Sequence, residues 1–140
     1  MLTDCLYQAS ATARGGREGQ AATSDGSLHA WLDLPAELGG RGHGNNPEQL
    51  FAAGYAACFL STLKTLKNQG SVAVPANATV TATVGLGPRA DGGFGLAITL
   101  HVALPGVDQN RARALMEAAH GACPYSRAIA GNVPVHLSLA

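Results

Sequence analysis

The stretch from Asn46 to Leu60 constrains this chain most: Asn46-Pro47-Glu48-Gln49 opens a run in which almost every following residue is apolar or small. Asn46 suits an N-cap, Pro47 suits the first helical position, and Gln49 stands where a capping-box partner belongs. The spacing predicts a helix from there to about Asn68, stopped by Gly70. A helix that is greasy all round must be covered on every side. Gly54 and the alanines beside it let other backbones approach closely.

The rest of the chain must supply that cover. Residues from Leu6 to Ala13 read as a strand that turns at Gly15-Gly16-Arg17-Glu18-Gly19 and pairs with Gln20 to Thr23. Ser24-Asp25-Gly26 marks a second turn, and Leu28 to Leu34 alternates as a half-buried strand does. Gly39 to Asn46 is a glycine-rich loop. Beyond the helix, Val80, Ala82, Val84 and Leu86 share one strand face, opposite Thr79, Thr81 and Thr83. Leu96, Ile98, Leu100, Val102 and Leu104 share another, across a hairpin loop at Pro88 to Gly93. Asp108 caps a second helix over Gln109 to about Gly121, with Leu115, Met116 and Ala119 on its inner stripe. Pro124 opens a short helix ending at Gly131-Asn132, and Val133, Val135, Leu137 and Leu139 face inward from a last strand. Strands and helices are segregated, so the expected class is α+β. No repeat or low-complexity tract interrupts a single domain over residues 1–140.

Composition narrows the partners. Only 13% of the 140 residues are charged against 46% hydrophobic, which points to extensive subunit contact. Nine basic and nine acidic residues cancel, and no basic cluster suggests nucleic acid or an anionic membrane. The first residues show no secretory signal, and Leu50 to Leu60 is too short to span a bilayer. Three cysteines without a CxxC do not make a disulfide framework. A cytoplasmic setting with reduced thiols is expected.

Chemistry then rests on few side chains. Cys58 lies three turns into the apolar helix, where a small core residue and a reactive thiol are both open readings. Burial raises a thiol's pKa, so reactivity would require a nearby positive charge. Glu48 sits about 15 Å from Cys58 along the axis and about 80° around it, too far to touch it directly. Cys123 precedes Pro124 and would be an N-cap, a place that favours thiolate. Arg17, between glycines, is either a solvated turn residue or a long arm over a pocket. Cys5 reads as incidental. His120 and Cys123 at i, i+3 could begin a metal site, but nothing completes one. His120 as a base for a cysteine hydrolase lacks an orienting third group.

Gly15-Gly16-Arg17, the block from Asn46 through Cys58-Phe59, and Ala119-His120 with Cys123-Pro124-Tyr125-Ser126 closely resemble the organic hydroperoxide resistance branch of the Ohr/OsmC superfamily. The middle block is long and specific, and weaker similarity covers nearly the whole chain. One departure is Arg127, the basic residue of a short helix in which the family commonly has Thr-Arg near Ile129-Ala130. The resemblance implies antiparallel sheets wrapped around two central helices in an intertwined homodimer. It implies a thiol peroxidase for organic hydroperoxides with no bound cofactor and no metal. Cys58 would be the peroxidatic cysteine, Cys123 the resolving one, and Arg17 with Glu48 the activating pair. Dihydrolipoamide or a lipoylated protein would be the electron donor. Phe51, Tyr55, Phe59, Met116 and Tyr125 are candidates to line an alkyl-binding pocket, or simply to pack the core. The rival readings are an OsmC-type peroxidase of broader range, a non-catalytic carrier of apolar ligands, and a redox sensor.

Overall fold

The computed structural model describes residues 1–66 and 73–140. They fall into two compact units, Met1–Leu50 and Phe51–Ala140, divided within the first turn of the long helix.

In the first unit, β1 (Ala11–Arg14), β2 (Gln20–Thr23) and β3 (His29–Trp31) form an antiparallel sheet in that order. Ala11 pairs with Thr23 and Arg14 with Gln20; Gln20 pairs in turn with Trp31. The first strand is shorter than the expected Leu6 to Ala13. Its partner runs out where Ser24 N–H donates to Ser10 C=O at 2.9 Å, and the Ser24-Asp25-Gly26 turn then leads away. The expected strand from Leu28 to Leu34 exchanges partners midway. Leu32 N–H still bonds Gly19 C=O, whereas Asp33 N–H bonds Asn45 C=O and Leu32 bridges Asn45 in parallel. Only Ala30 and Leu32 are buried hydrophobics in this unit.

Helix α1 (Pro47–Thr65) begins as its sequence dictates. Gln49 N–H donates to Asn46 Oδ1 at 2.9 Å, and Asn46 N–H donates back to Gln49 Oε1 at 3.1 Å, closing a reciprocal capping box. The expected end at Asn68 and stop at Gly70 lie outside the described residues. Burial departs from expectation. Tyr55, Phe59 and Leu63 form one buried stripe at i, i+4, i+8, whereas Ala53 and Ala57 are exposed. One chain covers one side of an all-apolar helix, and its small-residue side stays open.

In the second unit, β4 (Thr79–Pro88) and β5 (Phe94–Ala103) form a ten-pair antiparallel hairpin from Thr79↔Ala103 to Pro88↔Phe94. Gly92 and Gly93 turn the loop at φ of 100° and 70°, which favours glycine. Helix α2 (Gln109–Ala122) is capped by Asp108, whose carboxylate accepts from the N–H groups of Asn110 and Arg111. Helix α3 (Pro124–Ile129) follows at once, and β6 (Val135–Leu139) then joins β5. That pairing is parallel, with Ile98 opposite Val135, so the second sheet is mixed rather than wholly antiparallel. The cause is connectivity: α2 and α3 form the long crossover that parallel neighbours require. Ile98, Leu100 and Val102 of β5 share a core with Tyr55, Phe59 and Leu63 of α1 and with Leu115, Met116 and Ala119 of α2.

Candidate active site

The two thiols singled out by sequence meet. Cys58, half-buried on α1, and Cys123, fully buried at the α2–α3 corner, stand with sulfurs 3.6 Å apart, the Cys123 thiol donating to Cys58. Both are free. The corner fixes Cys123 through its backbone: its N–H reaches Ala119 C=O at 2.7 Å and its C=O accepts from Arg127 N–H at 3.0 Å. Cys123 is the N-cap residue of α3, as expected, yet its side chain caps no helical N–H. Its sulfur is committed to Cys58 instead.

Burial pushes the Cys58 thiol above its ordinary pKa. The Tyr125 backbone amide near the sulfur pulls the other way, and the neighbouring Cys123 thiol adds to the rise. A thiol so held is protonated at neutral pH and a poor nucleophile until a cation favours its charged form.

Arg17 and Glu48 form the second constellation, inside the first unit. Gly15 and Gly16, at φ of 74° and 59°, throw the chain into a single 3-10 turn that carries Arg17. A Cβ on Gly19 would run into the Arg14 carbonyl oxygen, so the turn can close this tightly only with glycine there. The guanidinium then clasps Glu48 at the start of α1 with two parallel bonds, Nη1 to Oε2 at 2.8 Å and Nη2 to Oε1 at 2.6 Å. Such fork-to-fork pairs fix aim as well as charge. The Arg17 bond holds the Glu48 carboxyl below its usual pKa, against opposing burial, and Glu48 raises that of Arg17. Glu48's side chain is 15% exposed and Arg17's 36%, so the pair is anchored on one side and open on the other.

The five aromatic and methionine candidates separate. Tyr55, Phe59 and Met116 belong to the core. Phe51 is half-buried and Tyr125 exposed, their ring centroids 6.1 Å apart and tilted edge to face. The outer end of the Tyr125 ring approaches α1 closely at Gly54, where a Cβ would stand 3.1 Å from the Tyr125 hydroxyl. Of the five, Phe51 and Tyr125 are the two that keep solvent-facing surface, with Tyr55 behind them at 5.8 Å from the Tyr125 ring. His120 turns to Ser126, its Nδ1 2.9 Å from the serine Oγ. Among the described residues no cluster of His, Cys, Asp or Glu could hold a metal ion. Ser126 is the residue sequence reasoning passed over; its spacing of one turn from Cys123 was the available signal. An open cleft of about 540 Å³ in the first unit, lined by Trp31, Asp33, Arg41 and His43 among others, holds neither cysteine.

Two contacting thiols on an α+β frame, one on a long apolar helix and one at a helix corner, define a dithiol protein of OsmC-like architecture. The family model for OsmC-like protein matches residues 40–138. The chain belongs to this family, in its organic hydroperoxide resistance branch. It is 49% identical over 136 residues to the organic hydroperoxide resistance protein of Xanthomonas axonopodis pv. citri (strain 306), covering 96% of this chain and 95% of that one. The structure of the organic hydroperoxide resistance protein OsmC from Legionella pneumophila superposes with a TM-score of 0.91 at 46% identity, over 98% of this chain and 99% of that one. OhrB of Bacillus subtilis superposes at 0.87 and 41% identity, over 97% and 100%. No described helix is long and apolar enough to cross a membrane.

Proposed function

We propose that this protein is a cysteine peroxidase that reduces organic hydroperoxides to alcohols. The observation that carries the reading is the 3.6 Å contact between a partly accessible thiol and a buried one. That contact suits a thiol whose oxidised form must be captured at once. The Cys58 thiolate attacks the outer peroxide oxygen; the O–O bond breaks, an alcohol leaves with a proton, and Cys58 becomes a sulfenic acid. The Cys123 thiol displaces hydroxide from that sulfur, its proton completes a water, and a disulfide closes. A small dithiol of the lipoyl type, free or protein-bound, then takes the disulfide's place and returns both thiols.

The reading assigns Arg17 the cationic role that a buried thiolate needs, from the same chain or a partner's. Guanidinium stays charged at any working pH and can donate to the departing alkoxide. Glu48 keeps that charge aimed. Phe51 and Tyr125 offer an apolar surface to an alkyl or acyl chain, which favours organic peroxides over hydrogen peroxide.

A homodimer is part of the proposal. The exposed alanine side of α1 and the two-residue core of the first unit both leave apolar surface that a second copy would cover. The reading also places the chain in the cytoplasm, where thiols stay reduced.

The deciding assay follows turnover of tert-butyl hydroperoxide with dihydrolipoamide, set against thioredoxin and glutathione as donors and hydrogen peroxide as substrate. Sustained turnover with the lipoyl donor and preference for the organic peroxide are expected. Cys123→Ser should complete one turnover and then accumulate overoxidised Cys58. Should peroxide produce no bond between Cys58 and Cys123 by mass spectrometry, with Cys58→Ser functionally silent, a non-catalytic carrier becomes the better reading.

A further inference from the structure

A second link joins the same two segments as the sulfurs do. Tyr55 lies three residues before Cys58 on α1, and Ser126 lies three residues after Cys123 on α3. Their hydroxyls meet at 2.6 Å, wholly out of solvent. Residues three apart on a helix share a face. The Tyr55–Ser126 bond and the Cys58–Cys123 contact are thus successive rungs between α1 and the corner, one turn apart. His120 adds the third member. It lies three residues before Cys123, in the last turn of α2, and its Nδ1 reaches the same Ser126 oxygen at 2.9 Å. Cys123 therefore sits midway between two residues that are bonded to one another across the bend. Ser126 has one hydrogen and two lone pairs, so its hydroxyl can serve both neighbours at once, with the His120 tautomer setting the direction of that bond. Ser126 is the shared member: removing it strands the buried Tyr55 hydroxyl in an apolar core, whereas removing Tyr55 or His120 leaves Ser126 one partner.

We propose that Tyr55, Ser126 and His120 are positioning residues that hold the Cys123 sulfur in register with Cys58 and so set how fast, and how completely, the Cys58–Cys123 disulfide closes. The inference rests on the dithiol cycle proposed above and concerns its second step. The triad takes no part in breaking the peroxide bond. Closure depends on near-attack geometry between two side chains, and a misplacement of about 1 Å lowers such a step by up to about a hundredfold.

Two measurements test this. The first equilibrates the protein with oxidised and reduced dithiothreitol, which exchanges one disulfide for another without any peroxide. The second mixes reduced protein with tert-butyl hydroperoxide, quenches with a thiol-alkylating reagent and counts sulfenic acid and disulfide by mass spectrometry. Ser126→Ala should lower the equilibrium constant for disulfide formation at least tenfold. It should slow closure more than it slows the first oxidation, so that sulfenic and overoxidised Cys58 build up. Tyr55→Phe, which keeps the ring and removes only the rung's oxygen, should shift both readouts the same way, and decides the matter should Ser126→Ala not fold. His120→Gln should fall between these and the unaltered protein. Closure rate and equilibrium constant within twofold of the unaltered protein in the folded variants would overturn the positioning role. A disulfide that forms in the dithiothreitol mixture but never with peroxide would instead overturn the peroxidase reading, leaving the triad judged by the exchange equilibrium alone.

Discussion

At the residue scale the site sets a burden on one atom. Burial raises the Cys58 thiol, so its thiolate fraction, and any rate that depends on it, grows about tenfold per pH unit until that pKa is reached. With a guanidinium engaged the profile should flatten near neutrality. We therefore expect Arg17→Ala to lower kcat/KM at pH 7 about a hundredfold or more and to restore the steep climb towards alkaline pH. A variant with a flat profile and near-normal rate would remove Arg17 from its role. The same shift acts on stability. Because the folded-state pKa is raised, the neutral Cys58 thiol contributes stability that is intact below the ordinary thiol value and lost as pH climbs through the folded one. Glu48 has the opposite sign. Its pKa is depressed by Arg17, so its contribution is present above the ordinary carboxylate range, about 4, and disappears as pH falls through the folded value. Thermal unfolding of Glu48→Gln should accordingly differ from the unaltered protein at pH 7 and converge with it under strong acid. An unchanged gap across that range would show that the ion pair is not what the substitution removes.

At the element scale α1 is where sequence and structure agree most closely. The capping box at Asn46 and Gln49 was legible because it depends on neighbours within one turn. Asn46→Ala should cost about 1 kcal/mol by thermal unfolding; a value near zero would mean that α1 is held by packing alone. Gly54 offers a subtler case. Alanine there gains up to about 1 kcal/mol of helix preference, and the added carbon meets only the outer end of the half-exposed Tyr125 ring, which can yield by a few tenths of an ångström. Gly54→Ala should thus leave stability level or slightly higher while moving Tyr125 and altering the preference between bulky and small hydroperoxides. A clear loss of stability would show the ring to be fixed. The strands of β4 and β5 were equally readable, since alternation over ten residues in a hairpin needs only local pairing. The parallel seat of β6 was not, because it follows from the path of α2 and α3 and from nothing within Val135–Leu139. The short β1 and the partner exchange at Leu32 escaped for the same reason: alternation reports a face, not where the neighbouring strand ends.

At the scale of the whole molecule, the candidate residues were visible one by one, while the pairing of Cys58 with Cys123 and of Arg17 with Glu48 was legible only through the family resemblance and not from spacing. Nothing in a 65-residue separation says that Cys58 and Cys123 touch, and Ser126 gains meaning only beside Tyr55 and His120. The apolar composition raised the expectation of subunit contact, and the open, alanine-bearing side of α1 is the surface at which the proposed association can be probed. Sedimentation equilibrium should give twice the chain mass at micromolar concentration; a monomer there would contradict the proposed association. Placing a charge on that side, as in Ala57→Glu, should weaken the association and lower thermal stability together, and an unaffected dimer would move the interface elsewhere. The parallel docking of β6 also closes a loop in the chain: the strand follows the α2–α3 corner in sequence and ties back to β5 beside the core that carries Cys58. Truncation before Val135 should accordingly slow the joining of the two cysteines by oxidised dithiothreitol, and an unchanged rate would show that the corner keeps its seat without that tether.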